Sequence, residues 1–294
     1  MAASGDSNFD SRLADAATTT KPVVLMVHGM WCRPHVWDRM RSVFDARGYR
    51  VVAPALRHHE VEPGAMPHPD LGHTSLKDYV ADLEVLIRSL NERPLVIGHS
   101  MGGTLMQMLA ARGLIRAGVG LAPAQCAGPV NLDPRSMWIF KREFFRTKFW
   151  RKPQLPRFDA MRYGVLNGLP AEEQKALYDT LIPESGRALL EIGYWFADRH
   201  RTTWINPQSV TTPMLFMTGE RDRITPAWLA KRVAANYGDN VRLEILPDRA
   251  HWLPAEKGWE RLAQRCIDFF ETDAIHQTLR TVPVPEAAKA LSAA

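Results

Sequence analysis

The sequence is poor in cysteine and has no long apolar run. Its three cysteines, Cys32, Cys126 and Cys266, are an odd set with no framework spacing, which argues against a disulfide scaffold and suits a reducing compartment. No run of about 18 apolar residues could span a bilayer, and the amino terminus lacks the basic start and apolar block of a secretion signal. We therefore expect a cytoplasmic protein without an integral membrane segment.

Motifs for metals, nucleotides and nucleic acids are missing as well. There is no Cys-x-x-Cys and no helical pair of histidines at metal-binding spacing, and prolines interrupt the histidine-rich loop of residues 57–74, so a preset metal cage is not expected. A Gly-x-x-x-x-Gly-Lys loop does not occur either. The net charge of +5 comes without a recognised nucleic-acid module. We expect no metal, no organic cofactor and no nucleic-acid partner.

The clearest motif that is present is a glycine-flanked serine between an apolar strand and a helix. The apolar run of residues 95–98 predicts the strand, and the residues after Met101 predict the helix. Ser100 lies in the turn between them, with Gly98 before it and Gly102 after it. A serine in such a sharp turn has strained backbone angles, and only glycine leaves the chain enough clearance. The pattern predicts a projecting hydroxyl, with the Met101 N–H aimed where a negative oxygen would form.

A serine hydroxyl needs a base to become a nucleophile, and the base needs an anionic partner. Asp222 follows the predicted buried strand of residues 213–219, and His251 follows the predicted strand of residues 241–246. Glu220 is a rival for the acid, although alternation along the loop points it elsewhere. Because the carboxyl ends of parallel strands meet at one edge of a sheet, we expect the serine, the acid and the histidine to converge there.

With these motifs in the order serine, aspartate, histidine, the chain resembles the α/β-hydrolase superfamily over about residues 22–272. The resemblance implies a mostly parallel central sheet flanked by helices, and a catalytic triad of Ser100, Asp222 and His251. The family pattern Gly-x-x-Asp ends at Asp222 in this chain and favours it over Glu220. In the family the sharp strand-to-helix turn that carries the nucleophile is called the elbow, and an aspartate there marks dehalogenases and epoxide hydrolases. Ser100 therefore argues against those branches.

The resemblance also assigns an oxyanion hole. An early apolar strand ends in His28-Gly29, and in the family the residue after such a pair lends its backbone N–H to the hole. Met30 is then expected to act together with Met101, while His28 is expected to be a structural histidine beneath the loop. The loop lacks the triple-glycine version of this motif, which implies a narrow hole.

A long segment separates the predicted strand that ends near Leu121 from the strand that starts at residue 213. Connections beyond about 15 residues rarely lack structure of their own, so we expect a helical cap over residues 123–209. Candidate helices are residues 134–149, 170–181 and 184–198. The hydrolase core then comprises residues 22–122 and 210–274, and flexible tails are expected at residues 1–21 and 275–294.

The aromatic content of this segment implies an apolar pocket above Ser100. The candidates for its lining are Trp31, His99, Trp138, Trp195 and Trp252. Residues 141–157 are also basic, with Glu143 as their only carboxylate. A solvated helix face is the ordinary interpretation, and a patch that attracts anionic substrates or a membrane surface is the alternative.

Together these features predict a serine hydrolase that cleaves carboxylic esters through an acyl-enzyme, on small to medium substrates with an apolar part. The same residues would serve lactone or thioester hydrolysis, acyl transfer, carbon–carbon or cyanohydrin cleavage, or perhydrolysis. A different class is a ligand receptor that keeps the pocket without turnover. The sequence does not predict the oligomeric state.

Overall fold

A six-stranded parallel sheet forms the centre of the protein. The structure is a computed structural model that describes residues 23–271, apart from the side chains of Glu143 and Phe144. The predicted tails, residues 1–21 and 275–294, lie outside the described residues. The strands are β1 (Val23–Val27), β2 (Arg50–Val52), β3 (Leu95–His99), β4 (Ala117–Leu121), β5 (Pro153–Gln154), β6 (Glu184–Ser185), β7 (Met214–Gly219) and β8 (Val241–Leu246).

The sheet has the order β2-β1-β3-β4-β7-β8, and β5 pairs with β6 in a separate two-stranded antiparallel sheet. All neighbours in the main sheet are parallel. Val27 pairs with Gly98, and Leu121 pairs with both His99 and Met217, so the carboxyl ends of these four strands are level. The chain runs from β1 to β2 on one side and then crosses past β1 to β3 on its other side. Ligands bind at such a switch point in the strand order.

Helices cover both faces of the sheet. They are α1 (Asp38–Ala46), α2 (Leu76–Arg88), α3 (Met101–Ala110), α4 (Pro134–Phe145), α5 (Phe158–Gly164), α6 (Ala171–Tyr178), α7 (Gly186–Gly193), α8 (Ala227–Ala235) and α9 (Trp259–Phe270). Alternate residues of β1 point to opposite faces. Val24 and Met26 pack with α1 and α9, whereas Leu25 and Val27 pack with α2, α3 and α8. The mostly parallel, helix-flanked sheet predicted from the sequence is therefore confirmed.

Residues 122–213, hereafter the insert, connect β4 to β7. They contain α4 to α7 and the antiparallel β5–β6 pair. The predicted helix of residues 134–149 ends at Phe145, and Lys148 has a left-handed backbone with φ +55°. The helix predicted from residue 184 begins at Gly186, because Glu184 and Ser185 first pair with β5. Helix α5 and strand β2 were not predicted, and the division into core and cap stays a prediction.

Two buried carboxylates attach the insert to the core. Glu184 accepts hydrogen bonds from the Tyr79 hydroxyl at 2.7 Å and from His59 Nε2 at 3.0 Å. Glu191 accepts the Leu76 N–H at the start of α2 at 2.8 Å, and the Ser75 hydroxyl at 2.8 Å. Buried charges are tolerated only with such partners, so these contacts fix the base of the insert.

Burial alone disfavours the charged forms of His59 and Glu184. The neighbouring Glu184 carboxylate nevertheless raises the pKa of His59, and His59 in turn lowers the pKa of Glu184. The two groups therefore form an ion pair in the interior. None of the described helices is long and apolar enough to cross a membrane, and the cytoplasmic location stays a prediction.

Candidate active site

Ser100 occupies a strained turn between β3 and α3. Its backbone has φ +53° and ψ −116°, a combination that costs energy for a residue with a side chain. The turn is held by hydrogen bonds from Ser100 N–H to Leu121 O at 3.0 Å and from Ala124 N–H to Ser100 O at 3.0 Å. A Cβ on Gly98 would collide with the Gly102 carbonyl, and a Cβ on Gly102 would collide with the Val27 carbonyl. The glycines thus supply the clearance that the motif predicts.

Asp222 and His251 meet at the same edge of the sheet. His251 Nδ1 lies 2.8 Å from Asp222 Oδ2, and both side chains are almost completely buried. An ionised carboxylate only accepts hydrogen bonds, so Nδ1 carries the proton and Nε2 is left as the basic nitrogen. No hydrogen bond joins the Ser100 hydroxyl to His251 anywhere in the described part of the chain. Such bonds are often long without substrate and tighten when it binds.

Thr225 is a further polar group at this pair, and the sequence analysis did not identify it. Its hydroxyl donates to Asp222 Oδ2 at 2.7 Å and lies 3.2 Å from His251 Nδ1. The other oxygen, Asp222 Oδ1, accepts the N–H groups of Ile224 and Thr225, each at 2.8 Å. The loop after Asp222 therefore wraps its carboxylate in donors, as expected of an aspartate at the start of an Asx-type turn.

His99 and Glu256 hold the loop that carries His251. His99 Nε2 donates to the His251 carbonyl oxygen at 2.9 Å, and the carboxylate of Glu256 accepts the Ala250 N–H at 2.9 Å. Burial, aided by repulsion from His251, lowers the pKa of His99 to about 3, so this ring is neutral at neutral pH. The sequence did not predict the role of Glu256, because a carboxylate five residues beyond a histidine fits many loop conformations.

His28 lies beneath the loop after β1. Its Nδ1 donates to Gly29 O at 2.9 Å, and its Nε2 accepts the Leu56 N–H at 3.2 Å. Burial lowers its pKa to about 3, with a smaller contribution from His59. Both nitrogens are thus engaged in a neutral ring, an arrangement that fits the structural role expected of His28.

Met30 and Met101 lie on either side of Ser100. All three residues line one cavity, and Met101 is the first residue of α3, where helix N–H groups have no partner in the helix. In residues 23–271 neither the Met30 N–H nor the Met101 N–H donates to another protein group. Two unused amides beside a nucleophile are what an oxyanion hole requires.

The cavity above Ser100 has a volume of about 120 Å³. Its wall is mostly apolar, and the core and the insert both contribute to it. The core supplies Met30, Trp31, Met101 and Ile224, and the insert supplies Val130, Leu132, Met137, Phe140, Leu189, Ile192 and Phe196. Because so few polar groups reach it, the cavity suits an apolar portion of a substrate.

Of the predicted pocket residues, Trp31 lines this cavity and the other four lie elsewhere. His99 supports the His251 loop, and Trp252 packs edge-on against His99, with 2% of its surface exposed. Trp195 donates its indole N–H to Pro129 O at 3.3 Å. Trp138 packs against Tyr163 on the outside of the insert. Proximity in sequence to the motifs does not decide which side chains reach the cavity.

The three cysteines are buried thiols without disulfide partners, and burial raises the pKa of each. Cys32 follows the β1 loop and donates to Met30 O at 3.2 Å. Within the described residues, no three His, Cys, Asp or Glu side chains are grouped to hold a metal ion. The prediction that no metal or cofactor takes part is left untested by this.

Comparison with known proteins identifies the family of this chain. A model of the alpha/beta hydrolase family matches residues 24–265. Epoxide hydrolase 4 of Mus musculus is 24% identical over 86% of this chain and 74% of its own length, and a pyrethroid hydrolase of Sphingobium wenxiniae is 32% identical over 30% of each chain. A methylesterase structure from Arabidopsis aligns with a TM-score of 0.61 at 16% identity, covering 84% of this chain and 99% of its own. The resemblance noted from the motifs is confirmed, and these relatives support hydrolase chemistry.

Proposed function

Since the chain belongs to the alpha/beta hydrolase family, we propose that it is a serine hydrolase that cleaves carboxylic esters. The observation that carries the proposal is the contact of 2.8 Å between His251 Nδ1 and Asp222 Oδ2, at the sheet edge where Ser100 projects into an apolar cavity. A base fixed in one tautomer at the same edge of the sheet as a strained serine is the arrangement that activates a hydroxyl once substrate brings the two together.

In the proposed reaction, His251 Nε2 removes the proton of Ser100 while Oγ attacks the ester carbonyl carbon. The negative charge that develops on the carbonyl oxygen is stabilised by the N–H groups of Met30 and Met101. His251 then gives the proton to the leaving alcohol, which leaves an acyl group on Ser100. Water, deprotonated by the same nitrogen, releases the carboxylic acid, while Asp222 stays ionised throughout.

The substrate class follows from the cavity. Its apolar wall is shared between the core and the insert, so we propose that the insert acts as a cap and that one part of the ester is apolar. The small free volume favours a short or medium chain. The oligomeric state does not enter the proposal.

The relative named Epoxide hydrolase 4 raises a competing activity. Opening an epoxide in the family depends on an elbow aspartate, and this chain has Ser100 there. Lactone, thioester and other acyl chemistry would use the same atoms, and a receptor would use the cavity alone. The site therefore favours acyl chemistry over epoxide opening.

The experiment combines turnover with active-site labelling. Purified wild type is assayed on p-nitrophenyl esters of increasing acyl length, on an epoxide, and with a fluorophosphonate probe followed by mass spectrometry. We expect ester turnover, one probe per chain on Ser100, and no epoxide opening. Ser100→Ala should lose activity by roughly a millionfold and should lose the label.

Ser136→Ala is the matched control, because Ser136 lines the same cavity but donates its hydroxyl to Arg223 O at 2.9 Å. This variant should keep both label and turnover. Ester hydrolysis that persists in folded Ser100→Ala would refute the proposal. Stoichiometric labelling without turnover of any ester would favour the receptor.

A further inference from the structure

The outer side of α4 exposes large apolar side chains. Phe145 has 90% of its surface exposed, Met137 has 49% and Trp138 has 39%. The opposite side of the helix is buried through Ser136 and Ile139, so these exposed groups contribute nothing to the core. Clusters of exposed apolar side chains on a soluble fold mark surfaces that bind something.

Cations are interleaved with these apolar groups. Lys141 and Arg142 are exposed on the same helix, and Lys141 Nζ lies 4.3 Å from the centre of the Trp138 ring. The chain continues with further exposed cations, Arg146, Lys148, Arg151 and Lys152. Among the described residues, Lys148, Arg151 and Lys152 form no ion pair with a carboxylate. We call Met137, Trp138, Lys141, Arg142 and Phe145 the α4 face.

The α4 face borders the mouth of the candidate active site. Met137 belongs to the face and also lines the cavity that contains Ser100. Leu132 and Phe196 line the same cavity while keeping 69% and 57% of their surfaces exposed. Side chains that are both lining and exposed stand where the cavity opens, so the opening lies beside the α4 face.

We propose that the α4 face docks on an anionic phospholipid bilayer and that esters dissolved in the bilayer enter the cavity past Leu132 and Phe196. A helix that combines aromatic and basic side chains suits the interface of such a bilayer, where apolar groups enter the acyl boundary and cations meet phosphate. A second copy of the chain fits less well, because a two-fold contact would set Lys141 and Arg142 against their own copies. The entry of esters rests on the proposed function, whereas the docking does not.

The docking is tested by co-sedimentation with vesicles of phosphatidylcholine, with and without phosphatidylglycerol. The protein carries Ser100→Ala, so that hydrolysis cannot alter the lipid. We expect binding to the anionic vesicles that is released by high salt and is much weaker on the neutral vesicles. Lys141→Glu/Arg142→Glu should bind at least about 25-fold more weakly, from about fivefold for each cation lost near the surface. Phe145→Ala should bind about tenfold more weakly.

The matched control is Arg47→Glu/Arg112→Glu, which makes the same change of charge on exposed arginines that follow α1 and α3, at the opposite edge of the sheet. This control should bind like its parent. Equal binding by both double variants, or no binding to anionic vesicles, would overturn the proposal. So would a dimer that dissociates in Phe145→Ala, because it would make a second copy the occupant.

The entry of esters is tested with Ser100 intact. Phe145→Ala should match wild type on a soluble p-nitrophenyl ester, because Phe145 is not part of the cavity wall, and it should be slower on an ester held in anionic vesicles. Equal rates on the vesicle-held ester would refute entry from the bilayer. If no ester is turned over at all, the proposed function fails while the co-sedimentation result still decides the docking.

Discussion

Replacing Thr225 with valine removes one hydroxyl and keeps the outline of the side chain. That hydroxyl donates at 2.7 Å to Asp222 Oδ2, the oxygen that also accepts a hydrogen bond from His251 Nδ1 at 2.8 Å. A hydrogen bond to a charged acceptor contributes about 1.5–3 kcal/mol. The two backbone donors on Asp222 Oδ1 remain, so we expect only part of this energy to be lost in the transition state. A loss of about 1.4 kcal/mol lowers kcat about tenfold, with KM close to that of wild type.

The split between kcat, KM and stability distinguishes this positioning role from general damage. The Thr225 hydroxyl holds Asp222 Oδ2, which in turn orients the His251 ring. In Thr225→Val we therefore expect a lower kcat, with KM and the unfolding temperature close to those of wild type. Steady-state kinetics on a soluble p-nitrophenyl ester, together with thermal unfolding, measure the effect.

Thr225→Ser is the control, because it keeps the hydroxyl and loses only a methyl group. It should restore kcat. Our reasoning about Thr225 is wrong if serine and valine reduce kcat equally, or if valine lowers the unfolding temperature and leaves kcat unchanged.

Two further predictions concern the frame of the site. Gly98→Ala should destabilise the fold by about 3 kcal/mol and abolish probe labelling, because the new Cβ meets the Gly102 backbone. The control is Gly193→Ala, whose Cβ meets nothing within 4 Å. Equal unfolding temperatures for the two variants would contradict the prediction. His59→Gln should lower the free energy of unfolding by about 3 kcal/mol, with the largest effect between about pH 5 and 6. Because the pKa of His59 is raised, its contribution to stability fades as pH rises past 6.5. Because the pKa of Glu184 is lowered, its contribution fades as pH falls below 4.5. Urea unfolding across this range would refute the second prediction if the gap between wild type and variant widened toward pH 9.

The elbow was predictable because its geometry requires particular residue types at neighbouring positions in the sequence. The close approach of the backbone at the turn requires glycine at positions 98 and 102, and the continuous apolar run of residues 95–98 is typical of a buried strand. Asp222 and His251 were predictable for a related reason, since each follows an apolar strand and parallel strands align their carboxyl ends. The sequence therefore predicts where the chain turns.

The direction of a side chain in a loop is not indicated by any such local sequence pattern. His251 and Trp252 are neighbours in sequence, yet one ring faces Asp222 and the other packs against His99. Thr225 contacts Asp222 because the turn closes on itself, a tertiary outcome that residue types alone do not determine. Short elements were missed for a similar reason: β2 has three residues, too few to show a period.

The electrostatics of the site limit how the proposed reaction can stabilise charge. His28 and His99 flank the elbow, but burial keeps the pKa of each near 3, so neither ring supplies a positive charge at neutral pH. The Cys32 thiol, whose pKa burial raises, supplies no negative charge. Stabilisation of an oxyanion therefore depends on the Met30 and Met101 amides, whose dipoles are fixed by the backbone and do not titrate. A variant such as His99→Phe should therefore reduce activity by releasing the carbonyl of His251 that His99 holds, and it should do so without removing a positive charge from the site.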